Sequence, residues 1–442
     1  MKSSSVPWSL QHSAVSDSLK RFISEKVAHA KAMAREDGKA IWPQLQALFA
    51  AAESGDLVTV RQIFDELRQP PAPHDRARRT DYCCHGSQWS TAHELWGALE
   101  QFDGCGEKYT VAFGQDVIAS IPAGSIYFGG TDPGRFVVTA LCPSHLNAVP
   151  FFTLTQNALV DKGYRQYLRS LYGDRILIPS DEDWTNIQAE YLEDARRRQK
   201  ENKLLPGEVL EEVDGRLELR SHIVVMTLNA MLSKLLFDNN PTREFYVEES
   251  FPLDWMYPHL TPHGLILKIN RRPLAELPDE AIQKDRDYWT RYCRPMIGDW
   301  LTPETPLTEV AAFVERVQLR HDLIGFDGDA RFVQNDPPQR MFSKLRSAIG
   351  GVYAWRVMNG KGSAGTEQMR QEADFAFRQA WALCPRSPEA VFRYINLLVV
   401  ERRLDDAILI AGTAGKLDTE NPQLGFLAAE LKRMQRVQAG NT

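Results

Sequence analysis

The sequence has no excess of positive charge, no paired cysteine motif and no long apolar run. Its 442 residues include 52 lysines and arginines against 58 aspartates and glutamates, a formal charge of −6 at pH 7. A general nucleic-acid-binding protein usually carries a basic face or a high pI. The basic runs His74–Arg79 and Asp194–Lys203 are short, and the second follows acids, as on a solvated helix face. We therefore predict no nucleic-acid partner.

The cysteines and the apolar segments exclude two further classes. None of the six cysteines forms a CxxC pair, which argues against zinc-binding and disulfide frameworks. The longest apolar segment, His222–Phe237, is interrupted by polar residues and is shorter than the roughly 20 residues that a membrane span needs. The opening residues lack the apolar core of a signal peptide. We expect a soluble, cytoplasmic protein with no integral membrane segment.

The pattern changes twice along the chain. Residues 1–75 read as a helical segment, with a hairpin break at Ser54-Gly55-Asp56 between two apolar helical patterns. Residues 105–275 alternate short apolar strands with helices, which predicts a layered α/β fold, Rossmann-like, with a mostly parallel sheet. The predicted strands include Ser125–Phe128, Ala148–Leu154, Asp174–Pro179, Arg243–Ser250 and His263–Asn270, with Arg135–Cys142 as a helix or a second apolar element and a separate hairpin turning at Asp214-Gly215.

The remainder of the chain reads as helical. We assign residues 276–340 to a helical linker region and residues 341–442 to tetratricopeptide-like repeats. Ala373, Phe377, Ala380 and Pro385 match the second-helix signature of such a repeat. The same residue types recur 34 positions later at Ala407, Ala414 and, starting from Pro388, Pro422. Short arrays of this kind need neighbours to bury their faces, so we expect a protein partner at these repeats.

One loop is the main candidate for a ligand site. Gly129, Gly130, Thr131, Asp132 and Arg135 directly follow an apolar strand. The glycines permit close backbone approach, and free amides at the start of a helix attract anions, which Arg135 could bind in bidentate fashion. The alternative is a structural turn, in which Thr131 caps the next helix and Pro133 begins it. The motif is neither GxGxxG nor a Walker loop, so both interpretations stay open.

Two further polar residues follow predicted strands, Asn157 and Glu248. In a parallel sheet these residues and Asp132 would gather at one edge, where α/β proteins bind ligands. Glu248 and its neighbour Glu249 would point to opposite faces of a strand, which makes them a poor acid–base couple. Asp132 is the one residue that we name as a candidate for catalysis. A hydrogen-bonded structural acid is the alternative for each carboxylate.

No motif indicates a cofactor or a metal. His259 and His263 are four residues apart, but Pro258 and Pro262 interrupt the helix that would align them. Asp327 and Asp329 lack the later ligands of a calcium loop. The G-x-S-x-G elbow is also absent from the sequence. We predict neither a metal site nor a cofactor.

Four segments carry a resemblance to a known group of proteins: Ser125–Phe136, Phe152–Gly173, Phe245–Asn270 and Lys344–Arg356. Together they resemble bacterial uncharacterised proteins with tetratricopeptide tails. That group is similar to the soluble carboxyl-terminal part of protein O-mannosyltransferase-like membrane proteins of unknown function. The resemblance runs from about Gln115 to the end of the chain. It implies an α/β module with a helical repeat tail, but not the transferase activity, which would lie in a transmembrane half that has no counterpart here.

Three functional hypotheses follow from the sequence. The first is a binding or scaffold protein, with a protein partner at the repeats and a small polar or anionic ligand at the loop. The second is an enzyme, glycosyltransferase-like or another transferase or hydrolase, acting on a nucleotide-sugar, glycan or phosphorylated substrate. In that case Asp132 would be a base or metal ligand, Arg135 the anion clamp and Asn157 a positioning group. The third is a structural subunit without a ligand.

Overall fold

The fold is mostly helical. The computed structural model describes residues 14–38, 40–69, 87–104, 107–213, 216–220, 222–360 and 365–440. Helices account for 70% of the structure and strands for 6%. The predicted layered α/β fold with a mostly parallel sheet, Rossmann-like over residues 105–275, is therefore wrong. The chain divides into two compact units, which we call unit 1 (Met1–Asp103 and Thr110–Tyr246) and unit 2 (Gly104–Tyr109 and Val247–Thr442).

Helices make up most of the chain up to residue 239. They are α1 (Ala14–Glu36), α2 (Pro43–Ser54), α3 (Leu57–Arg68), α4 (Ser87–Gly104), α5 (Glu107–Ser120), α6 (Val138–Leu141), α7 (Lys162–Tyr172), α8 (Asp181–Lys200) and α9 (His222–Asn239). The predicted break at Ser54-Gly55-Asp56 separates α2 from α3, and the Asp56 side chain accepts a hydrogen bond from the Thr59 backbone N–H. Apolar side chains of α1 to α4, among them Leu48, Phe64 and Leu95, form one buried cluster.

Five short strands form one sheet. They are β1 (Ile126–Gly129), β2 (Phe152–Leu154), β5 (Phe245–Glu248), β6 (Leu260–His263) and β7 (Ile266–Ile269), in the order β2-β1-β5-β7-β6. β1 and β2 are parallel, with Ile126 opposite Phe152, whereas β6 and β7 are antiparallel, with Leu260 opposite Ile269. A separate antiparallel pair consists of β3 (Val209–Val213) and β4 (Arg216–Arg220). The predicted turn at Asp214-Gly215 lies outside the described residues.

The fold prediction failed where short apolar runs were read as strands. The predicted strand Asp174–Pro179 begins within a 3-10 turn, Gly173–Arg175, and continues as irregular chain. Arg135–Cys142 was predicted to be either a helix or a second apolar element. It is helical as far as Leu141. The predicted strand His263–Asn270 is the end of one strand, a turn and a second strand. An apolar run of four to six residues is compatible with a strand or with a buried helical turn, so periodicity alone does not distinguish them.

The rest of unit 2 consists mainly of helices. They are α10 (Asp279–Ile297), α11 (Leu307–Phe313), α12 (Ala330–Val333), α13 (Asp336–Asn359), α14 (Gly365–Leu383), α15 (Pro388–Val400), α16 (Leu404–Leu417) and α17 (Pro422–Gly440). A buried ion pair joins α13 to α10, because Arg346 Nη1 lies 2.8 Å from Asp285 Oδ2. Tyr353 of α13 donates a hydrogen bond to the same carboxylate. In the part of the chain that the structure describes, no helix is long and apolar enough to cross a membrane.

Candidate ligand-binding pocket

The loop after β1 is a tight strand-to-helix turn. Thr131 Oγ1 accepts a hydrogen bond from the Gly134 backbone N–H at 3.2 Å, and a short π-helix, Pro133–Val137, continues into α6. Tyr127 of β1 donates a hydrogen bond to the Gly134 carbonyl at 3.0 Å. These contacts hold the helical start directly against the strand. The turn is therefore built from contacts within the chain.

Gly129 is required because the backbone of residues 134 and 135 passes very close to its Cα atom. A Cβ atom at this position would lie 2.8 Å from the Gly134 carbonyl oxygen and 2.9 Å from the Arg135 Cα atom. Both are backbone atoms that have no rotamer to change, so any side chain would displace the turn. The glycine has a structural reason that needs no ligand. Gly130, which follows it, is half-buried.

Asp132 projects from this turn to the edge of a cavity of about 420 Å³ in unit 1. The cavity lies between the amino-terminal helices and the turn. Its lining residues come from α3 (Phe64, Arg68), α4 (Trp89, His93, Trp96, Gly97, Glu100) and the turn with its helix (Asp132, Phe136). We call this cavity the aromatic pocket, because four of its walls are Phe or Trp rings.

The rings of the aromatic pocket pack on one another. Trp89 and Trp96 both stack on Phe64, with centroid distances of 5.1 Å and 5.2 Å. His93 meets the ring of Phe136 at 5.5 Å, with the two planes inclined by 62°. Such stacked and edge-to-face pairs fix ring orientations and add to the energy of burial.

Gly97 permits the contact between α4 and the turn. A Cβ atom on Gly97 would lie 2.5 Å from carbon atoms of the Phe136 ring, far inside van der Waals contact. The glycine therefore lets the ring lie flat against the helix, and it brings Asp132 and Glu100 to the same cavity. Gly97 was not singled out from the sequence, because a lone glycine inside a helical pattern does not reveal what packs on it.

The charges in the aromatic pocket are predominantly negative. Burial and the nearby Asp132 carboxylate raise the pKa of Glu100, although Arg61 and Arg68 oppose the shift in part. Burial and the Arg135 guanidinium lower the pKa of His93 to about 3, so this imidazole is neutral at pH 7. Among the described residues, no salt bridge involves Glu100 or Asp132.

Arg135 does not line the aromatic pocket. Its guanidinium lies 4.8 Å from the centroid of Phe136 and 5.7 Å from that of Tyr164, and the residue is half-buried. Within the described residues, the Nε atom has no hydrogen-bond partner. The positive charge of Arg135 acts on the buried groups His93, Glu94 and Lys26. Arg135 and Asp132 therefore do not line this cavity together, and the anion-clamp role of Arg135 stays a prediction.

Asn157 and Glu248 also lie away from the aromatic pocket. Asn157 is exposed in a 3-10 turn, Gln156–Ala158, after β2, and its backbone carbonyl accepts a hydrogen bond from Asn229 at 3.0 Å. Because β1 and β2 are parallel, it follows the strand next to that of Asp132, but it does not line the cavity. Glu248 ends β5 in unit 2 and is 1% exposed. Of the predicted site residues, the structure brings only Asp132 to the pocket wall.

A buried polar cluster lies behind the pocket and was missed from the sequence. Lys26 of α1 forms an ion pair with Glu94 of α4, and both side chains are almost fully buried. Lys26 Nζ also lies 2.6 Å from His145 Nδ1 and 2.5 Å from the Tyr167 hydroxyl. Burial lowers the pKa of Lys26, and Glu94 partly offsets this. Burial alone would raise the pKa of Glu94, but the positive groups around it lower that pKa to about 2.

Sequence reasoning could have found the α4 wall of the pocket. Trp89, His93, Trp96 and Glu100 follow one another at intervals of four, three and four residues, which places them on one helix face. Phe64 and Phe136 give no such signal, because they come from distant parts of the chain. No group of His, Cys, Asp or Glu among the described residues is arranged to hold a metal ion.

Comparison of the chain with protein-family models, with curated proteins and with solved structures gives no match. Function is therefore inferred from the pocket and the helices themselves.

Proposed function

We propose that this chain is a binding protein whose aromatic pocket holds a small organic ligand. The observation that carries the proposal is the cavity of about 420 Å³ between α3, α4 and the turn after β1. Small-molecule sites are concave, of roughly 300–1,000 Å³, and walled by apolar and aromatic side chains with a few polar groups. Phe64, Trp89 and Trp96 supply such walls, while Glu100 and Asp132 supply the polar groups.

The composition of the pocket wall favours binding over catalysis. The described lining residues include no serine, threonine, cysteine or lysine, so they offer no hydroxyl, thiol or amine nucleophile. His93 is the one imidazole among the described residues of the wall, and a pKa of about 3 is far below the value that suits a general base at neutral pH. These observations argue against a covalent nucleophile and against His93 as a base, and they support a ligand site.

The proposal is tested with three probes that share a benzyl or phenyl ring and differ in charge: benzyltrimethylammonium, benzyl alcohol and benzoate. We expect at least one of them to raise the unfolding temperature of the full chain, because a ligand that binds only the native state stabilises it. Replacing the partly exposed Trp89 with alanine should abolish the shift, since it removes one wall. Trp184→Ala, which removes a tryptophan of α8 outside the pocket, should leave the shift unchanged. No shift with any probe would contradict the proposal.

A second proposed function concerns the carboxyl-terminal helices, and its support is the pattern of buried alanines. Ala373 and Ala380 of α14 are fully buried, and so is Ala407 of α16, 34 positions after the first. Pro388 and Pro422 begin α15 and α17, at the same interval. Small residues allow helices to approach closely, as in tetratricopeptide arrays. We propose that α13–α17 form such an array, in which each repeat is a pair of helices. The protein partner binds to the first helix of each repeat, that is to α13, α15 and α17.

This partner is tested with a change on α15. Val400 is 57% exposed near the end of that helix, so Val400→Asp should leave the fold intact and place a charge in the interface. We expect affinity purification of the full chain from its own cells, followed by mass spectrometry, to recover a partner that the variant loses. Ile324→Asp, at an 85% exposed loop position in the same unit, is the matched control and should retain the partner. Retention of every partner by Val400→Asp would rule out binding through α15.

A further inference from the structure

Two carboxylates share the aromatic pocket, and neither forms an ion pair with any residue that the structure describes. Glu100 lies on α4 and Asp132 on the turn after β1, and both line the cavity. Burial is the largest cause of the raised pKa of Glu100, and repulsion from the Asp132 carboxylate is the second. Two like charges held together cost free energy, and a positive group placed between them would recover it. The fold keeps them together through Gly97, whose missing side chain lets Phe136 lie against α4.

Among the described residues of the pocket wall, acidic groups outnumber basic ones. Arg68 contributes one positive charge, Glu100 and Asp132 contribute two negative charges, and His93 is neutral at pH 7. These described lining residues together carry one net negative charge, and Arg61, which lies outside the lining, offsets part of it at Glu100. Arg135, the residue expected to attract an anion, is absent from the lining. A phosphate or carboxylate ligand would meet repulsion from both acids.

The aromatic rings add a second attraction for positive charge. The face of an aromatic ring carries negative potential and attracts a cation within about 6 Å of its centroid. Two arginines of α3 already use this attraction: the Arg61 guanidinium lies 5.5 Å from the centroid of Trp96, and that of Arg68 lies 5.9 Å from the centroid of Phe64. These contacts show that the rings attract cations independently of the two carboxylates. A third guanidinium, that of Arg135, lies over Phe136, and among the described residues no cation lies over Trp89.

We infer that the aromatic pocket selects organic cations, in which an ammonium group faces Glu100 and Asp132 and an apolar body contacts Trp89 and Phe136. The inference rests on the proposed ligand-binding function and adds the chemical class of the ligand. A quaternary ammonium fits best, because it has no N–H groups that need hydrogen-bond partners in an aromatic site, and it is attracted through its charge alone.

The test measures dissociation constants of the full chain for benzyltrimethylammonium, benzyl alcohol and benzoate by isothermal titration calorimetry. We expect the cation to bind at least about tenfold more tightly than the neutral alcohol, a difference of about 1.4 kcal/mol. Benzoate should bind more weakly than the alcohol. Asp132→Asn should weaken binding of the cation by about twofold to fivefold, because Asp132 is exposed and an exposed ion pair contributes little. Binding of the alcohol should stay unchanged, because asparagine keeps the shape of the side chain.

Glu53→Gln is the matched control, because it removes one negative charge from an exposed position of α2 in the same unit. Glu53→Gln should change neither the affinity for benzyltrimethylammonium nor the affinity for benzyl alcohol. Equal binding of the cation and the alcohol would overturn the inference while leaving the pocket as a ligand site. A cation preference that survives both Asp132→Asn and Glu100→Gln would also overturn it. If none of the three probes binds, the proposed function fails together with the inference.

Discussion

Replacing Lys26 with methionine should destabilise unit 1 by about 3–5 kcal/mol, because it leaves the buried Glu94 carboxylate without its counter-ion. Lys26 is 2% exposed and Glu94 is 4% exposed, so water cannot replace the lost partner. The Tyr167 hydroxyl, which lies 2.5 Å from Glu94 Oε2, also loses its contact with the lysine. Few single substitutions reach this size, and those that do usually leave a buried charge or a cavity.

The measurement is native-state hydrogen exchange on peptides from α1 and α7, since a chain with two compact units does not unfold in one step. A loss of 3 kcal/mol accelerates exchange through unfolding by about two powers of ten. Lys20→Met, at an exposed position of the same helix, is the control and should change exchange little. The double variant Lys26→Met/Glu94→Leu should be more stable than Lys26→Met alone, because it removes the orphaned charge. A single variant as stable as the control would show that the ion pair contributes nothing.

The sequence could predict the elements of this fold better than their assembly. The start of α8 is one such element: the Ser180 side chain accepts a hydrogen bond from the Asp183 backbone N–H, and the Asp183 side chain accepts one from the Ser180 backbone N–H. Such motifs are local, so the chain carries them within a few residues. The layered α/β fold failed because its strands are only three to five residues long, and their pairing depends on residues far apart in the chain.

The buried cluster and the pocket show a similar limit. Nothing near Lys26 distinguishes it from Lys20, yet one is buried and the other is exposed. Its burial follows from Glu94, His145 and Tyr167, which come from three distant segments. Asp132 was a candidate because its loop was unusual. Its pocket neighbours on α4 could have been grouped by helical period, but their meeting with Asp132 depends on tertiary packing. The resemblance to tetratricopeptide-tailed proteins and the role of the repeats stay predictions.

Three histidines of unit 1 should make it sensitive to acid well above the pKa of carboxylates. Burial lowers the pKa of His29 to about 4, with the positive charge of Lys26 as the second cause. Burial likewise lowers the pKa of His93 and of His145 to about 3. In the unfolded chain each histidine has a pKa near 6.5. The folded state therefore keeps all three neutral at a pH at which the unfolded chain binds protons.

The sign of the effect follows from proton binding. A depressed folded pKa contributes stability that is present above pH 6.5 and is lost as the pH falls toward the folded value. When the pH falls from 7 to 5, each of these histidines should lower the free energy of unfolding by about 2 kcal/mol. The three together should lower it by about 6 kcal/mol. Glu94 adds to this only below about pH 4.5, because its own pKa falls from the usual carboxyl value to about 2.

Hydrogen exchange of α1, α4 and α7 peptides at matched intrinsic rates should measure this loss, from pH 7 to pH 5. His29→Gln should reduce the pH dependence by about one third, because one of the three proton-linked groups is gone and glutamine can still contact Ser170 where His29 Nε2 now does. His222→Gln, at an exposed position of α9, should leave the pH dependence as it is. Stability that stays constant across this range would mean that the histidines are accessible to protons in the folded state, and the buried cluster would then be more open than its packing indicates.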